Sequence, residues 1–400
     1  MAIFEEGSET DSAARSEATV NFVALRMLTG DRAKYVSLIF AIAFSTFLLE
    51  NQSSIFAGIM KRTTSQIVDV TDADIWVMDK KTLYIDEVKA LTDNDLYRVR
   101  GVPGVLWAVR LFKGQPRAKA LDGTFRVVIM LGLDDSSLVG APSRDKMLLG
   151  SVDDLRQPDA VIIDRAGYHF LFPGQPLDLG RTLELNDHLV RIVGVAEASA
   201  PFATFPVMFA RYSQAIKCVG SERNQLSFVL VKPQPGLAVH ALCARIEEHT
   251  GLRAVSGVDF AWQTVRYYIR NTGIPVNFGI TIGIALIVGA VVAGQTFYIF
   301  TLENLKQFGA LKAIGVTNRR IVGMILLQAL TVVTIGYAMG SGIAGVFFSI
   351  TLRNDPTRGL VLLWQTMTGV AVVIFLVVFL ASLLSIRRVL VLEPAVVFRG

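Results

Sequence analysis

No lysine in this sequence follows a glycine, so the G-x-x-x-x-G-K-[ST] loop that cradles nucleotide phosphates is missing. ATP hydrolysis is therefore not expected within this chain. Only four histidines and two cysteines occur in 400 residues. His169, His188, His240 and His249 lack metal-ligand spacing and no close cysteine pair accompanies them, which excludes a recognisable zinc site. The G-x-S-x-G turn of serine hydrolases is absent as well. Nothing points to catalysis, a cofactor or a metal in this chain.

What is present is apolar: 52% of the residues are hydrophobic against 18% charged. The excess is uneven, with 35–60, 275–300, 320–350 and 360–386 nearly free of charge and 62–260 mixed like a soluble domain. A helix needs about 20 apolar residues to cross a bilayer, a length three of these runs exceed. The first is shorter, because Glu50-Asn51-Gln52-Ser53-Ser54 interrupts it after 35–49. It reads as a span whose outer turns leave the lipid, and Glu50 there reads as water-exposed. A cleaved signal peptide fits less well, since a long, partly acidic stretch precedes the run and no small-residue cleavage site follows it.

Orientation follows from lysine and arginine in short connections. Arg26, Arg32 and Lys34 precede the first run. Lys306, Lys312, Arg319 and Arg320 separate the second from the third, and Arg387, Arg388 and Arg399 follow the fourth. Only Arg353 and Arg358 fall on the other side. The expected layout is a cytoplasmic tail over 1–34, a first span and stalk over 35–60, and an extracytoplasmic domain over 61–270. Then come spans over 275–300, 321–350 and 360–386, a cytoplasmic segment over 301–320 and a tail over 387–400. The net charge of +5 is a topology signal and carries no nucleic-acid inference. The acidic stretch Glu5 to Glu17 reads as a disordered tail.

The outer domain reads as α+β. QIVDVTDADIWVMD is a strand pattern, and Thr92 with Asp95 forms a capping box for a helix that Gly101 and Pro103 stop. VLWAVRLF, PRAKAL and FRVVIMLGL are strands, with Asp122-Gly123 a hairpin signal. AVIIDRAGY, TLELNDHLVRIVGVAEA with its Asn186-Asp187 turn, and FPVMFA continue the β character as a small β-rich lobe. QLSFVLVKP, GLAVHALCARIEEHTG and LRAVSG give strand, helix and strand, half of a split βαβ unit. Cys218 and Cys243 fall in this domain, where a disulfide and two buried free thiols are both open readings. Trp262, Tyr267 and Tyr268 lead into the second span, either as an interfacial belt or as packing against a neighbouring stalk, and Pro275 marks a kink.

Between the second and third spans, TLENLKQFGALKAIGVTNRRIVGMILLQ places Leu305, Phe308, Leu311 and Lys312 at helical spacing, with Gly315 as the stop. Gly309 removes a side chain within that helix, inviting close backbone approach. Such a helix can pass a push from a cytoplasmic partner into the bilayer, or simply rest on headgroups with Lys306 and Lys312 on anionic lipid. Gly279 with Gly283, and Gly336 with Gly340, are small-xxx-small pairs for helix packing, within one subunit or between two.

QFGALKAIGVTNRRI resembles the signature of FtsX/MacB-type (type VII) ABC transporter permeases, E-I-G-x-L-[RK]-A-[IL]-G followed by a basic stretch. Gly309, Leu311, Lys312, Ala313, Ile314 and Gly315 match it. Gln307 replaces the usual acid, Phe308 the usual isoleucine, and Asn304 stands where arginine is common. Leu-Lys-Ala-Ile-Gly is also similar to the DevC-like branch. LVLEPAVVFRG is similar to the family's C-terminal element through Leu392, Pro394 and Arg399. RVRGVPGVLWAVRL and LGRTLELNDHLVRIVGV are similar to its extracytoplasmic domain, a porter-like lobe with a small β-rich lobe.

The resemblance implies a multi-pass bacterial inner-membrane protein with four transmembrane helices in a one-plus-three order and both termini cytoplasmic. It implies a permease paired with itself or a homologue and driven by a separate cytoplasmic ABC ATPase that holds ATP and magnesium. Glu303, Lys306, Gln307, Phe308, Gly309, Leu311, Lys312, Ala313, Ile314 and Gly315 would form the ATPase-coupling segment. Export of a lipidic or hydrophobic substrate, with a membrane-fusion adaptor and an outer-membrane channel, is the expected role. A lipoprotein-release permease and an FtsX-like scaffold that controls cell-wall hydrolases are the alternatives.

Overall fold

The computed structural model describes residues 22–219, 226–351, 360 and 362–391. They divide into two compact units, one formed by Gly58–Ile274 and the other by the helices before and after it. Leu392, Pro394 and Arg399, the loop arginines Arg353 and Arg358, and the acidic stretch before residue 22 lie outside the described residues.

Helix α1 (residues 22–30) was not foreseen within the tail. It buries Ala24 and Leu28, and the carboxamide of Gln328 donates to the Ala24 carbonyl at 2.8 Å. Helix α2 (Arg32–Arg62) is unbroken over 31 residues, so the polar stretch from Glu50 to Ser54 sits inside it and does not end it.

The sheet-containing unit begins with a short helix, α3 (Ser65–Val68), before strand β1 (Ile75–Met78). The expected strand is therefore split. Asp69 closes α3 and accepts from the Ser199 backbone and hydroxyl and from Lys146, which holds this turn out of the sheet. Helix α4 (Asp93–Arg100) starts on the Thr92–Asp95 capping box, and Gly101 caps its other end. Strands β2 (Val105–Gly114), β3 (Arg117–Lys119), β4 (Phe125–Val127) and β5 (Ile129–Leu133) follow. The β3–β4 hairpin turns at Gly123, whose φ of 78° suits glycine.

Beyond β6 (Met147–Gly150) and β7 (Ala160–Asp164), the expected strand AVIIDRAGY gives way to helix α5 (Arg165–Leu171). The reason is local: the Asp164 carboxylate accepts from the Gly167 backbone, an N-cap that turns the chain out of the ladder. Strands β8 (Thr182–Leu185) and β9 (His188–Ala196) pair across Asn186-Asp187, both with positive φ. The unit closes with β10 (Val207–Arg211), α6 (Tyr212–Val219), β11 (Phe228–Pro233), α7 (Val239–Thr250), β12 (Arg253–Ser256) and α8 (Gly257–Asn271).

These twelve strands form one sheet in the order β12-β1-β11-β2-β5-β10-β7-β9-β8-β3-β4, with β6 on β9. The strands of the two expected lobes are thus joined without a gap. β1 lies between β11 and β12, antiparallel to both, the split βαβ arrangement closed by α7. Because side chains alternate across a sheet, Ile75 and Val77 enter one core and Trp76 and Met78 the other.

Helix α8 is fastened to this sheet. Phe260 packs with Trp76 and Phe228, ring centroids 5.5 and 5.7 Å away. Gln263 donates to the carbonyls of Thr82 and Leu83, and Tyr267 stacks on Tyr84 at 4.0 Å. The Tyr268 hydroxyl donates to Asp86 at 3.0 Å, and Asp86 also pairs with the buried ammonium of Lys113. Burial pushes Lys113 below the usual lysine range, against the opposing pull of Asp86. Tyr267 and Tyr268 therefore pack against the sheet-containing unit, while Trp262 is 65% exposed. Arg62, the last residue of α2, donates to the Pro201 carbonyl at 3.1 Å, and the next residue, Phe202, meets the Tyr268 ring at 5.0 Å.

Cys218 and Cys243 are both free and buried, and burial pushes each thiol up to about 11. A folded-state value above the free thiol's leaves both protonated at mildly alkaline pH. Maleimide labelling under native conditions should accordingly be slow at both positions and reach two thiols per chain only after unfolding. Fast labelling of the folded protein would contradict this packing.

The helical unit continues with α9 (Ile274–Glu303), α10 (Leu305–Ala313), α11 (Asn318–Thr351) and α12 (Trp364–Val391). Helices α2, α9, α11 and α12 are long and apolar enough to cross a membrane, one before the sheet in the chain and three after it. A break at residues 272–273 precedes α9 and its Pro275. Glu50 corrects the sequence reading: it has no exposed surface, and its Oε1 accepts from Ser341 Oγ on α11 at 2.6 Å.

Candidate functional site

The segment between α9 and α11 forms a helical corner. Asn304, 9% exposed, ends α9 by donating its side-chain amide to the Phe300 carbonyl at 2.8 Å. Gly315, at a φ of 95°, ends α10 in the left-handed region that favours glycine. Phe308 has no exposed surface and belongs to the core shared by Phe297, Phe300, Ile321 and Ile325. Gly309 beside it is buried, and Leu305 and Leu311 pack against the same core.

Two charged residues tie the corner to other helices. Lys312 Nζ donates to the Val389 and Leu390 carbonyls at 3.0 and 3.1 Å, placing a cation on the last turn of α12, where the helix dipole is negative. Glu303 pairs with Lys34 of α2 at 2.7 Å. The predicted residues thus separate by role: Phe308, Gly309, Leu305 and Leu311 anchor, while Glu303 and Lys312 tether. Lys306, Gln307, Ala313, Ile314 and Gly315 face outward, with Ile314 78% exposed.

Sequence reading missed Ala310, which joins Lys306, Ala313 and Ile314 on one face through i+4, i+7 and i+8 spacing. It also missed the groove beside that face. An open hollow of about 580 Å³ lies between α1, the start of α2 and the α9–α10 corner, lined in part by Arg26, Asp31, Lys34, Glu303, Asn304 and Gln307. Only α1's apolar spacing at Ala24 and Leu28 could have signalled its near wall.

The glycine pairs differ from each other. A Cβ on Gly336 would stand 2.7 Å from Ile42 Cβ, and one on Gly340 2.5 Å from the Ala43 carbonyl oxygen, so both pack on α2. Around Gly279 and Gly283 nothing lies within 4 Å of that position. Among the described residues no group of three or more histidine, cysteine or acidic side chains could hold a metal ion.

A model of the MacB-like periplasmic core domain matches residues 37–249, and one of the FtsX-like permease C-terminal domain matches 279–394, across the helical corner. An uncharacterized ABC transporter permease of Mycobacterium tuberculosis is 25% identical over 224 residues, 56% of this chain and 59% of that protein. The chain thus matches little more than half the length of that relative. A second uncharacterized permease from the same species is 25% identical over 313 residues, 77% of this chain and 79% of its own. The crystal structure of the periplasmic region of MacB from Actinobacillus actinomycetemcomitans aligns at 14% identity with a TM-score of 0.37, covering 52% of this chain and 96% of that one. These matches do not single out the DevC-like branch. Since the periplasmic-core model alone spans more than half of the sequence, the chain belongs to the family of MacB-like and FtsX-like ABC transporter permeases.

Proposed function

We propose that this chain is the membrane subunit of an ABC transporter, receiving ATP-driven motion at α10 from a separate cytoplasmic ATPase and passing it to the outer unit. The exposed face formed by Lys306, Ala310, Ala313 and Ile314, on a helix whose opposite side is anchored by the fully buried Phe308, carries this reading. Exposed apolar side chains beside a lysine suit a protein partner, and the neighbouring groove offers a concave receptor for it. ATP and magnesium belong to that partner. Both termini and α10 are cytoplasmic in this reading, the membrane is a bacterial inner membrane, and the working form is a dimer in which Gly279 and Gly283 of α9 face the second subunit.

The cargo we propose is lipidic or hydrophobic, handled outside the membrane with an adaptor protein. The apolar interiors of the four helices support this, because they offer a hydrophilic solute only one charged side chain, Glu50. Purification from native membranes in mild detergent tests the reading. A nucleotide-binding ATPase should co-elute in stoichiometric amount, with hydrolysis that rises on reconstitution with this chain. Elution with no such partner, or hydrolysis indifferent to the chain, would sink it.

A further inference from the structure

Glu50 is the sole charged residue within 35–60, 274–302, 321–351 and 364–386, the interiors of the four apolar helices. Its side chain has no exposed surface. Ser341 Oγ donates to Oε1, but Oε2 has no hydrogen-bond partner. Thr46 Oγ1, one turn earlier on α2 and equally buried, has none either. The two helices approach closely here, since a Cβ on Gly340 would stand 2.6 Å from Thr46 Cβ. From α11, Tyr337 also faces the carboxyl. Its hydroxyl donates to the Met367 carbonyl on α12 at 3.1 Å. On the same stretch of α2, Ser54 bonds Thr366 of α12 at 2.9 Å. Every described group facing Glu50 is therefore neutral.

A carboxylate removed from water needs a compensating positive charge, and membrane-embedded acids that lack a cationic side chain mark ion or proton sites. Here the surrounding donors are oxygens, the preference of small hard cations. One carboxylate carries one charge, so a monovalent ion balances it and a divalent ion does not. We propose that Glu50, Thr46 and Ser341 bind one small monovalent cation, a sodium ion or a proton, between α2 and α11, and that the bound cation holds these helices together.

The test uses the full-length chain in lipid nanodiscs. Its thermal midpoint would be followed while sodium chloride replaces N-methyl-D-glucamine chloride at constant ionic strength, and separately along a pH series without sodium. Raising the relevant cation about a hundredfold should lift the midpoint by several degrees, as binding to the folded state alone requires. Glu50→Gln should remove that response, and Thr46→Val and Ser341→Ala, which keep the carboxyl, should weaken a sodium response. A response to pH alone identifies the proton. Equal responses to both series in the wild type and all three variants would overturn the proposal.

Discussion

Ile314→Asp should release the ATPase from the purified complex while leaving the permease folded. The side chain is 78% exposed at the end of α10, so the fold should change by no more than about 0.5 kcal/mol. At a protein interface the same change buries an unpaired carboxylate against an apolar partner surface. Central interface residues lose about 2 kcal/mol or more on truncation, about thirtyfold in affinity, and an inserted charge adds a desolvation penalty. Ala310→Glu, on the same face, should act in the same direction. Phe308 is the wrong residue for this purpose. Its replacement opens the core at a cost of about 3–5 kcal/mol and would release a partner merely by disordering the corner. The measurement is co-elution and permease-stimulated hydrolysis, with the thermal midpoint as the control. Unchanged co-elution of Ile314→Asp and Ala310→Glu would remove α10 from the interface.

Gly340→Val should be strongly damaging to the helical unit, whereas Gly279→Val should leave the chain stable. At Gly340 the new Cβ meets the Ala43 carbonyl oxygen at 2.5 Å and Thr46 Cβ at 2.6 Å. A backbone atom cannot rotate away, so α2 and α11 must separate, dropping the packing between them. Overpacking relieved by side chains costs about 1–3 kcal/mol, and a clash with backbone should exceed that range. At Gly279 the same atom meets nothing within 4 Å, and exchanging a helical glycine for valine gains about 0.3–0.5 kcal/mol. Thermal unfolding in detergent reads the first effect, and size by light scattering reads any effect of Gly279→Val on pairing. A stable Gly340→Val chain would show that the two helices are not locked at this contact.

Features set by neighbouring residues were legible in the sequence. The Thr92–Asp95 box, the Asp122-Gly123 hairpin and the Asn186-Asp187 turn each depend on fewer than six residues; the strands flanking Asn186-Asp187 pair in the register of a two-residue turn, while those flanking Asp122-Gly123 are shifted by one residue, with Lys119 opposite Phe125. Where local cues competed, the reading slipped. The β-branched run before Asp164 hid the cap that starts α5, and Asp69's bonds to Ser199 and Lys146 lie too far along the chain to foresee.

At the candidate site, spacing located α10 but not which of its apolar residues faces the core. Phe308 and Ile314 are both large and apolar, and only the arrangement of the surrounding helices buries one and exposes the other. Glu50 follows the same logic. Next to Asn51 and Gln52 it looks solvated, and the hydroxyl that covers it is 291 residues away.

The joint at Pro201-Phe202 has a mechanical consequence. Arg62 ends α2 on one side of that dipeptide and Tyr268 of α8 leans on the other, while Asp86 clasps Tyr268 to Lys113 in the sheet. The ends of α2 and α8 are thus joined to each other through Phe202 and to the sheet through the Asp86–Lys113 pair. In the proposed mechanism, force delivered through α2 or α8 would therefore enter the sheet at several places at once, at β1 and β11 through Phe260, at β2 through Lys113 and at the β9–β10 connection through Pro201-Phe202.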